Sequence, residues 1–117
     1  MNQVSWSKKE KAIARNAFDA AYKRECAGIL AELRKRVEAA NEGDDIWKIN
    51  DYLWRKRREI EDKYDFRASV LVGVLARLVR EGWITMDDLD GLGGDKQELL
   101  SRWSCFFNGG SNSGSGA

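Results

Sequence analysis

The sequence predicts an all-α protein, a small helical domain with one long N-terminal helix and four shorter helices. Three observations predict this class. The 117 residues contain no proline, one third of them are charged, and the helix formers Ala, Leu, Arg, Lys and Glu are abundant. Apolar residues recur at steps of three or four, as they do on one face of a helix. Residues that cap helices precede most of these stretches.

The first helix is predicted to begin at the capping box Ser7-Lys8-Lys9-Glu10, whose hydroxyl and carboxylate reciprocally satisfy free backbone amides. Only Gly28 weakens the run before Asn41 and Gly43 end it. Its apolar positions are Phe18, Tyr22, Cys26, Ile29, Leu33, Val37 and Ala40. About 33 residues make a helix about 50 Å long, whereas a compact domain of this size has a radius of gyration of about 13 Å. So little remaining protein cannot cover such a helix, and the comparison predicts an elongated homodimer.

A second helix is predicted from Asp44 or Asp45, whose carboxylates suit a helix N-terminus, to about Tyr64. Asp65 then either caps the next helix or lies within a continuous one. Residues 69–79 are apolar nearly all round, which predicts the most buried helix, and a buried strand over residues 70–74 is the rival interpretation. The flanking helix formers and Gly82, which suits a left-handed cap, favour the helix.

Two further helices and a tail complete the predicted chain. Thr85-Met86-Asp87-Asp88 is a capping-box variant for a short helix ending at Gly91, and Asp95 is expected to cap a last helix through about Phe106. Residues 1–107 thus form a single all-helical domain. Residues 108–117 are rich in Gly, Ser and Asn and have nothing to bury. We expect them to be a disordered tail, and their composition is also typical of sequences added for expression.

Charge and cysteine content exclude several classes of protein. The net charge of +1 argues against a general polyanion binder, which is normally clearly basic. The longest uncharged run, residues 68–76, is too short to cross a bilayer, and the sequence has no visible signal peptide. We therefore expect a cytoplasmic protein without membrane insertion. Cys26 and Cys105 are too few for a disulfide scaffold and are expected to be reduced thiols.

The second helix carries two distinct faces. At about 100° per residue, Trp47, Asp51, Trp54 and Arg58 project within roughly 60° of one another. A separate apolar stripe, centred about 120° away, is expected to face the core. The stripe consists of Ile46, Ile49, Leu53, Ile60 and Tyr64. Large aromatic residues set among charges are typical of the hot spots of protein interfaces, so the first face predicts a protein-binding surface.

The residues that most enzymes and metal sites use are scarce in this chain. It has no His, which removes the most usual general base and metal ligand, and two distant cysteines do not make a zinc site. Residues 91–94 lack the strand before them and the Lys-Ser/Thr after them that a phosphate loop needs, so they are predicted to form a turn. We expect no enzymatic activity, no cofactor and no metal.

The basic runs at residues 34–36 and 55–58 are a reason to consider nucleic-acid binding. With Trp54 beside it, the second run has the residues to contact phosphates and stack a base. Acidic residues follow at once, however, and both runs wrap around their helices. A solvated surface with i,i+4 ion pairs such as Arg57–Glu61 accounts for them better, so we expect no nucleic-acid partner.

Arg57 and the two tryptophans each leave two interpretations open. Arg57 lies at the margin of the core stripe, where a partly buried guanidinium needs an acceptor. It forms either a structural ion pair, for instance with a carboxylate of the partner subunit, or part of a binding groove beside Trp47. Trp47 and Trp54 either bind another protein or complete a core or a dimer seam.

Five segments of the chain closely resemble the fluorescence recovery protein family of cyanobacteria. They are DDIWKINDYL at 44–53, KRREIEDKYDFR at 56–67, SVL at 69–71, ARLVREGW at 76–83 and DK at 95–96. The resemblance reaches back to single residues nearer the N-terminus and covers roughly residues 6–103. Those single residues are Trp6, Ser7, Phe18, Ala21, Tyr22, Arg24 and Glu25.

The resemblance implies an all-helical homodimer without a cofactor of its own. Proteins of that family bind the photoactivated orange carotenoid protein and speed its return to the resting form. This return releases the light-harvesting antenna, the phycobilisome, from energy quenching. The family's functional Trp, Asp and Arg fall on Trp47, Asp51 and Arg57. Together, the aromatic face and the resemblance predict a set of partner-binding residues that we call the docking face: Trp47, Asn50, Asp51, Trp54, Arg57 and Arg58.

Four positions depart from the family pattern. The family usually has His at Asn50 and Phe at Gly73, it tends to have Lys at Leu99, and Trp54 replaces a small residue. Asn50 exchanges hydrogen bonds but takes up no charge, and Gly73 is expected to leave a hole and weaken its helix. Two hypotheses follow. The chain regulates the orange carotenoid protein or a homologue of its C-terminal domain, or it is a dimeric helical adaptor of the same fold with a different protein partner.

Overall fold

The computed structural model describes the backbone of residues 5–111 and the side chains of residues 5–104. Its helices in chain order are α1 (Lys8–Ala39), α2 (Gly43–Lys63), α3 (Leu71–Glu81), a 3₁₀ helix (Met86–Leu89) and α4 (Gly94–Ser111). No strand occurs within residues 5–111, so the prediction of an all-α fold is confirmed. In the same range, no helix is long and apolar enough to span a bilayer.

The N-terminus of α1 is fixed by the predicted capping box. The Ser7 amide donates to Glu10 Oε1 at 3.0 Å, and the Glu10 amide donates to Ser7 Oγ at 3.1 Å. The helix then runs for 32 residues and gives the chain an elongated shape, with extents of 54 × 31 × 25 Å. The radius of gyration is 16.9 Å, clearly above the value of about 13 Å for a compact domain of this size.

The core lies between the N-terminal half of α1, α3, the 3₁₀ helix and α4. α3 is the most buried helix, as predicted, because its apolar side covers more than half of its circumference. Phe18 contacts Tyr64 and Phe66 edge to face, at centroid distances of 5.2 and 5.1 Å, and closes the core beside the connection between α2 and α3. The buried apolar residues of the core are Ala14, Ala17, Phe18, Ala21, Leu71, Val72, Leu75, Ala76, Leu78, Ile84, Leu89, Leu92 and Leu100.

The C-terminal half of α1 is not packed into this core. Beyond Glu25, α1 contains no buried residue, although its apolar spacing continues. Leu30 and Val37 are 44% and 57% exposed. The reason is the length of the helix, because its second half extends past the core and runs beside α2.

The prediction that the apolar stripe of α2 faces the core is wrong. Only Tyr64 of the stripe packs against the core. The other members are half-buried or exposed, namely Ile46, Ile49, Leu53 and Ile60. The residues that α2 buries are Tyr52 and Lys63. The physical reason is that α2 runs beside the unpacked half of α1, where the guanidinium of Arg36 covers Tyr52 at 4.0 Å from the ring centroid.

The end of α3 is the predicted glycine cap. Gly82 has a φ of 86°, and the amides of Gly82 and Trp83 donate to the carbonyls of Val79 and Leu78, each at 3.0 Å. This pair of bonds closes a helix when the capping residue is left-handed, a conformation that glycine adopts without steric cost. The rival strand over residues 70–74 is excluded, because α3 begins at Leu71.

Two boundaries near α3 differ from the prediction. Asp65 neither caps α3 nor lies in a continuous helix, because it accepts hydrogen bonds from the backbone and the guanidinium of Arg67 in the connection before α3. Thr85 forms the predicted capping box, but the helix it caps is of the 3₁₀ type and ends at Leu89, two residues before Gly91. Short-range side-chain bonds thus hold Asp65 in the connection and fix the start of the 3₁₀ helix.

The last helix is longer than predicted at both ends. It begins at Gly94, so Asp95 lies in its first turn, and it extends to Ser111 rather than ending near Phe106. Residues 112–117 of the predicted tail lie outside the described residues. Cys26 is a free, half-buried thiol, and the side chain of Cys105 also lies outside the described part.

Gly73 has room for a methyl group beside Trp103. A Cβ built on this glycine meets Cζ3 of Trp103 at 3.8 Å, an ordinary van der Waals distance. The indole of Trp103 on α4 therefore lies next to the position, and the expected hole stays a prediction. Gly28 on α1 has the same relation to Trp83, whose Cη2 would lie 3.7 Å from an added Cβ.

Candidate docking face

All six residues of the docking face lie on α2 and are exposed to solvent. The helix begins at Gly43. In its first turn, the carboxylate of Asp45 accepts hydrogen bonds from the amides of Asn41 and Glu42 at 2.9 and 3.1 Å. These backbone bonds lower the pKa of Asp45. With its first turn anchored, α2 runs unbroken for 21 residues, and this continuity gives the face its helical spacing.

The two tryptophans of the face are left in solvent. Trp47 is 64% exposed and Trp54 is 60% exposed, so neither completes the core of the chain. The guanidinium of Arg58 lies 5.0 Å from the ring centroid of Trp54, a cation–π contact that holds this indole from one side. Both remaining interpretations of the pair, a foreign protein or a dimer seam, place the indoles in an interface.

Arg57 is exposed rather than partly buried. Its side chain is 78% exposed, and Nε donates to Glu61 Oε2 at 3.1 Å. The prediction that Arg57 borders a packed stripe is wrong, because the stripe beside it is not packed within the chain. The i,i+4 pair with Glu61 has the predicted spacing. At this exposure such a pair contributes little to stability, so the guanidinium is free to contact another chain.

Asn50 and Asp51 complete the face, and both are exposed. Asp51 lies one helical turn from each of Trp47 and Trp54. The face therefore presents a carboxylate between two indoles, with a carboxamide at its edge. Such a surface buries apolar area through its indoles and orients a partner through its charges.

A shallow groove near the docking face includes none of its six residues. The turn between α1 and α2 forms a shallow groove of about 190 Å³, smaller than the roughly 300 Å³ at which small-molecule sites begin. The groove is lined by Arg36, Ala39, Ala40, Asp45, Lys48 and Ile49. Among the side chains of residues 5–104, no group of three or more Cys, Asp or Glu residues is placed to hold a metal ion.

Sequence reasoning does not identify a buried charged cluster at the end of α2. Lys63 Nζ donates to Glu25 Oε2 at 2.7 Å and to Glu81 Oε1 at 2.6 Å, and the Tyr64 hydroxyl donates to Glu25 Oε1 at 2.8 Å. One signal was available, because Glu25 lies seven residues after Phe18 on the apolar side of α1, where a carboxylate needs a partner. We name the group the Lys63 cluster: Glu25, Lys63, Tyr64, Arg77, Glu81 and Trp83.

Burial and hydrogen bonding shift the pKa values of two groups in this cluster. Burial raises the pKa of Glu81, but hydrogen bonds from Lys63 and Arg77 outweigh it, and the pKa is lowered. Burial, followed by the hydrogen bond to Glu25, raises the pKa of Tyr64. Near neutral pH, Tyr64 is therefore a hydrogen-bond donor and Glu81 an ionised acceptor.

A second network, also missed by sequence reasoning, joins the start of α1 to the start of α4. Besides its bond from Ser7, Glu10 accepts hydrogen bonds from the Gly93 amide at 2.7 Å and from Lys96 Nζ at 3.1 Å. The backbone bonds from Ser7 and Gly93 lower the pKa of Glu10 to about 2. The buried ammonium of Lys96 also lies 5.0 Å from the ring centroid of Trp6. Glu10 of the capping box therefore also links the start of α1 to the start of α4.

Comparison with known proteins places these features in a family. Residues 6–102 match the family described as "Photoprotection regulator fluorescence recovery protein". The chain is 40% identical over 98 residues to the fluorescence recovery protein of Synechocystis sp. strain PCC 6803, which covers 84% of this chain and 90% of that protein. Solved fluorescence recovery proteins of Fremyella diplosiphon and Synechocystis sp. PCC 6803 each superpose with a TM-score of 0.81, at 40% and 38% identity, over 86% of this chain and 99% of theirs. The chain therefore belongs to the fluorescence recovery protein family of photoprotection regulators.

Proposed function

We propose that the chain is a non-enzymatic regulator that binds another protein and is located in the cytoplasm. It accelerates the relaxation of photoactivated orange carotenoid protein, or of a homologue of its C-terminal domain, and so ends the quenching of phycobilisome fluorescence. Membership in a family of photoprotection regulators supports this proposal. The observation that carries it is the exposure of Trp47 and Trp54, because two indoles left in water on one helical face form a surface suited to a protein partner.

The proposed mechanism is differential binding. A binding protein accelerates relaxation only if it binds the transition region of its partner more tightly than the activated state. Trp47 and Trp54 dock on apolar surface that the activated partner exposes, while Asp51 and Arg57 fix the orientation. The contacts strengthen as the partner starts to relax. The resting partner then covers this surface, so the regulator is released.

We also propose that the working form is a homodimer. Leu30 and Val37 on α1 and Ile46 on α2 are exposed in the single chain. Large apolar side chains grouped on two neighbouring helices mark a contact surface. A second copy of the chain fits it best, because the unpacked half of α1 requires a covering layer and an isologous contact supplies the same layer to both copies.

A dimeric helical adaptor with another protein partner, and no role in photoprotection, is the second candidate. Asn50 and Trp54 favour it, because both differ from the residues typical of the family within the docking face. Asn50 takes up no charge where His does, and the indole of Trp54 adds apolar area that a small residue lacks. The source genome distinguishes the two candidates. The first requires that it encodes an orange carotenoid protein or a homologue of its carotenoid-binding C-terminal half, and the second does not.

The deciding experiment times the return of photoactivated orange carotenoid protein to its orange form in darkness, with and without the chain. The proposed function predicts that the half-time shortens as the chain is added, with a plateau when the partner is saturated. An unchanged half-time at a large excess of the chain contradicts the proposed function and leaves the adaptor hypothesis.

A further inference from the structure

Lys63 is the last residue of α2, and its side chain is only 4% exposed. Its ammonium donates to Glu25 on α1 at 2.7 Å and to Glu81 at the end of α3 at 2.6 Å. An ammonium is strongly hydrated, and it is buried only where paired acceptors replace the water. One nitrogen atom therefore ties the end of α2 to two other helices.

The Lys63 cluster is electrically balanced. Glu81 also accepts hydrogen bonds from Arg77 at 2.9 Å and from Trp83 Nε1 at 3.2 Å, so two carboxylates face two cations. Oxygens of Glu25 and Glu81 lie within 2.7 Å of the same nitrogen, and without the ammonium these like charges would repel each other at short range. The balance holds only while α1, α2 and α3 keep their relative positions.

The rest of α2 has little other anchorage. Of its 21 residues only Tyr52 and Lys63 are buried, and the guanidinium of Arg36 covers Tyr52. Arg36 belongs to the last turn of α1, so this contact fixes α2 to α1 alone. Tyr64 and Phe66 pack on the core, but they belong to the connection that follows the helix. The Lys63 cluster is thus the buried contact that relates α2 itself to α3.

We propose that Lys63 is a positioning residue for the docking face: its ammonium, shared by Glu25 and Glu81, sets the direction of α2 relative to α1 and α3. The docking face lies on α2 alone, so any change in this direction moves its six residues together relative to α3 and α4. A partner that contacts the docking face and the α3–α4 end at the same time requires that direction to be fixed. The inference rests on the proposed function only for the identity of the partner.

The direction of α2 is measured by pulsed electron double resonance between two spin labels. The labels are attached at Arg55→Cys on α2 and Ser101→Cys on α4, both exposed positions, after Cys26→Ser and Cys105→Ser. Dilution with excess unlabelled chain removes distances between copies. The chain with Lys63 intact should give one narrow distance distribution. Lys63→Met keeps most of the side-chain length but removes the charge, and it should broaden or shift the distribution.

Two further variants control this measurement. Lys48→Met removes an ammonium from the same helix at an exposed position, and it should leave the distribution unchanged. Lys63→Arg keeps the charge and should recover part of the narrow distribution. If circular dichroism shows that Lys63→Met does not fold, Glu81→Gln replaces it as the test variant, because the bond to Glu25 remains. An unchanged distribution in the folded test variant overturns the proposal.

The same variants without labels are then assayed for dark recovery of photoactivated orange carotenoid protein. Lys63→Met should raise the chain concentration needed for half-maximal acceleration by about tenfold, with helix content retained. A changed distance distribution with an unchanged recovery curve overturns the positioning role. If the unmodified chain fails to accelerate recovery, the proposed function fails, while the distance distributions still decide whether Lys63 sets the direction of α2.

Discussion

Trp47 and Trp54 lie in solvent, although tryptophan side chains are highly buried on average. Trp47→Ala removes apolar area without removing a core contact, so the variant should stay folded. We predict that it slows the accelerated dark recovery by about tenfold or more, because truncation of an interface hot spot costs about 2 kcal/mol. Recovery half-times measured against chain concentration test this, with circular dichroism as the check on folding.

Lys48→Ala is the matched control for the Trp47 variant. Lys48 is exposed on the same helix but projects about 100° away from Trp47. A surface substitution outside the docking face should change the recovery rate by no more than about twofold. Equal losses in both variants, or no loss in Trp47→Ala, would contradict the assignment of the face.

Glu10 gives a prediction about pH. Its pKa is lowered from 4.5 to about 2 by backbone hydrogen bonds from Ser7 and Gly93. A lowered folded-state pKa means that the ionised carboxylate stabilises the fold above pH 4.5, and this contribution is lost as the pH falls from 4.5 towards 2. Glu10→Gln should lower the free energy of unfolding by about 1.5–3 kcal/mol at pH 7, and the deficit should shrink in acid. Urea unfolding at several pH values measures it.

Glu98→Gln is the control for the Glu10 variant, because Glu98 makes an exposed i,i+4 pair with Arg102 at 3.1 Å. Loss of such a pair should cost less than about 1 kcal/mol. Gln at position 10 still suits a capping box, so the comparison isolates the charge. A deficit in Glu10→Gln that stays constant from pH 7 to pH 3 would show that these contacts do not lower the pKa of Glu10.

Local partners could be predicted from the sequence and distant ones could not. Ser7 and Glu10 are three residues apart and form their box as predicted, and the docking face needs only helical spacing along α2. Glu10 also reaches Gly93, 83 residues away, and Lys63 reaches carboxylates 38 and 18 residues away. Helical periodicity shows which side of a helix a residue lies on, but not which distant segment packs against that side.

Within single helices, Gly73 and Gly82 provide a matched pair of substitutions. Gly73 lies inside α3, where an added Cβ makes ordinary contact with Trp103, whereas Gly82 has a φ of 86° and nothing within 4 Å. Gly73→Ala should raise the free energy of unfolding by about 0.5–1 kcal/mol, since alanine loses less backbone entropy. Gly82→Ala should lower it by about 1–2 kcal/mol, since its cost comes from the left-handed backbone.

Each of these variants controls for the other, because both add the same methyl group to α3 or its cap. The backbone is helical at Gly73 and left-handed at Gly82. Chemical unfolding followed by circular dichroism measures both. A loss of stability in Gly73→Ala would mean that Trp103 cannot accept the added methyl group. An unchanged stability in Gly82→Ala would mean that α3 ends without the left-handed cap.

The elements differ in how well their packing follows from sequence. α3 is apolar over more than half of its circumference, and its charged residues share the remaining side, so its burial follows from the sequence alone. α2 has an apolar stripe beside Tyr52, and the structure buries Tyr52 while leaving Ile46 exposed. Which side of an amphipathic helix is covered within the chain depends on its neighbour. For α2 that neighbour is the half of α1 that extends past the core. The apolar stripe of α2 alone does not predict this neighbour.

As a whole molecule, the chain is an incomplete packing unit. It extends over 54 Å, and Leu30 and Val37, seven residues apart on one side of α1, remain in solvent. On α2 the stripe is centred about 120° from Trp47 and Trp54, whereas Arg57 lies at its margin. A second copy seated on the stripe and on α1 would therefore leave the two indoles open, so dimerisation and partner binding through the indoles are compatible.

The double variant Leu30→Lys, Val37→Lys tests the proposed dimer. An isologous contact would bury each introduced lysine in both copies, and burial of unpaired like charges costs several kcal/mol. Sedimentation velocity should therefore report a monomer, and circular dichroism should show unchanged helix content. Val70→Lys is the control, because Val70 is also apolar and exposed but lies at the start of α3, outside the proposed contact surface on α1 and α2. This variant should stay dimeric. A dimer that survives in the double variant would place the seam elsewhere, whereas an unmodified chain that sediments as a monomer would leave α1 to be covered by the partner itself.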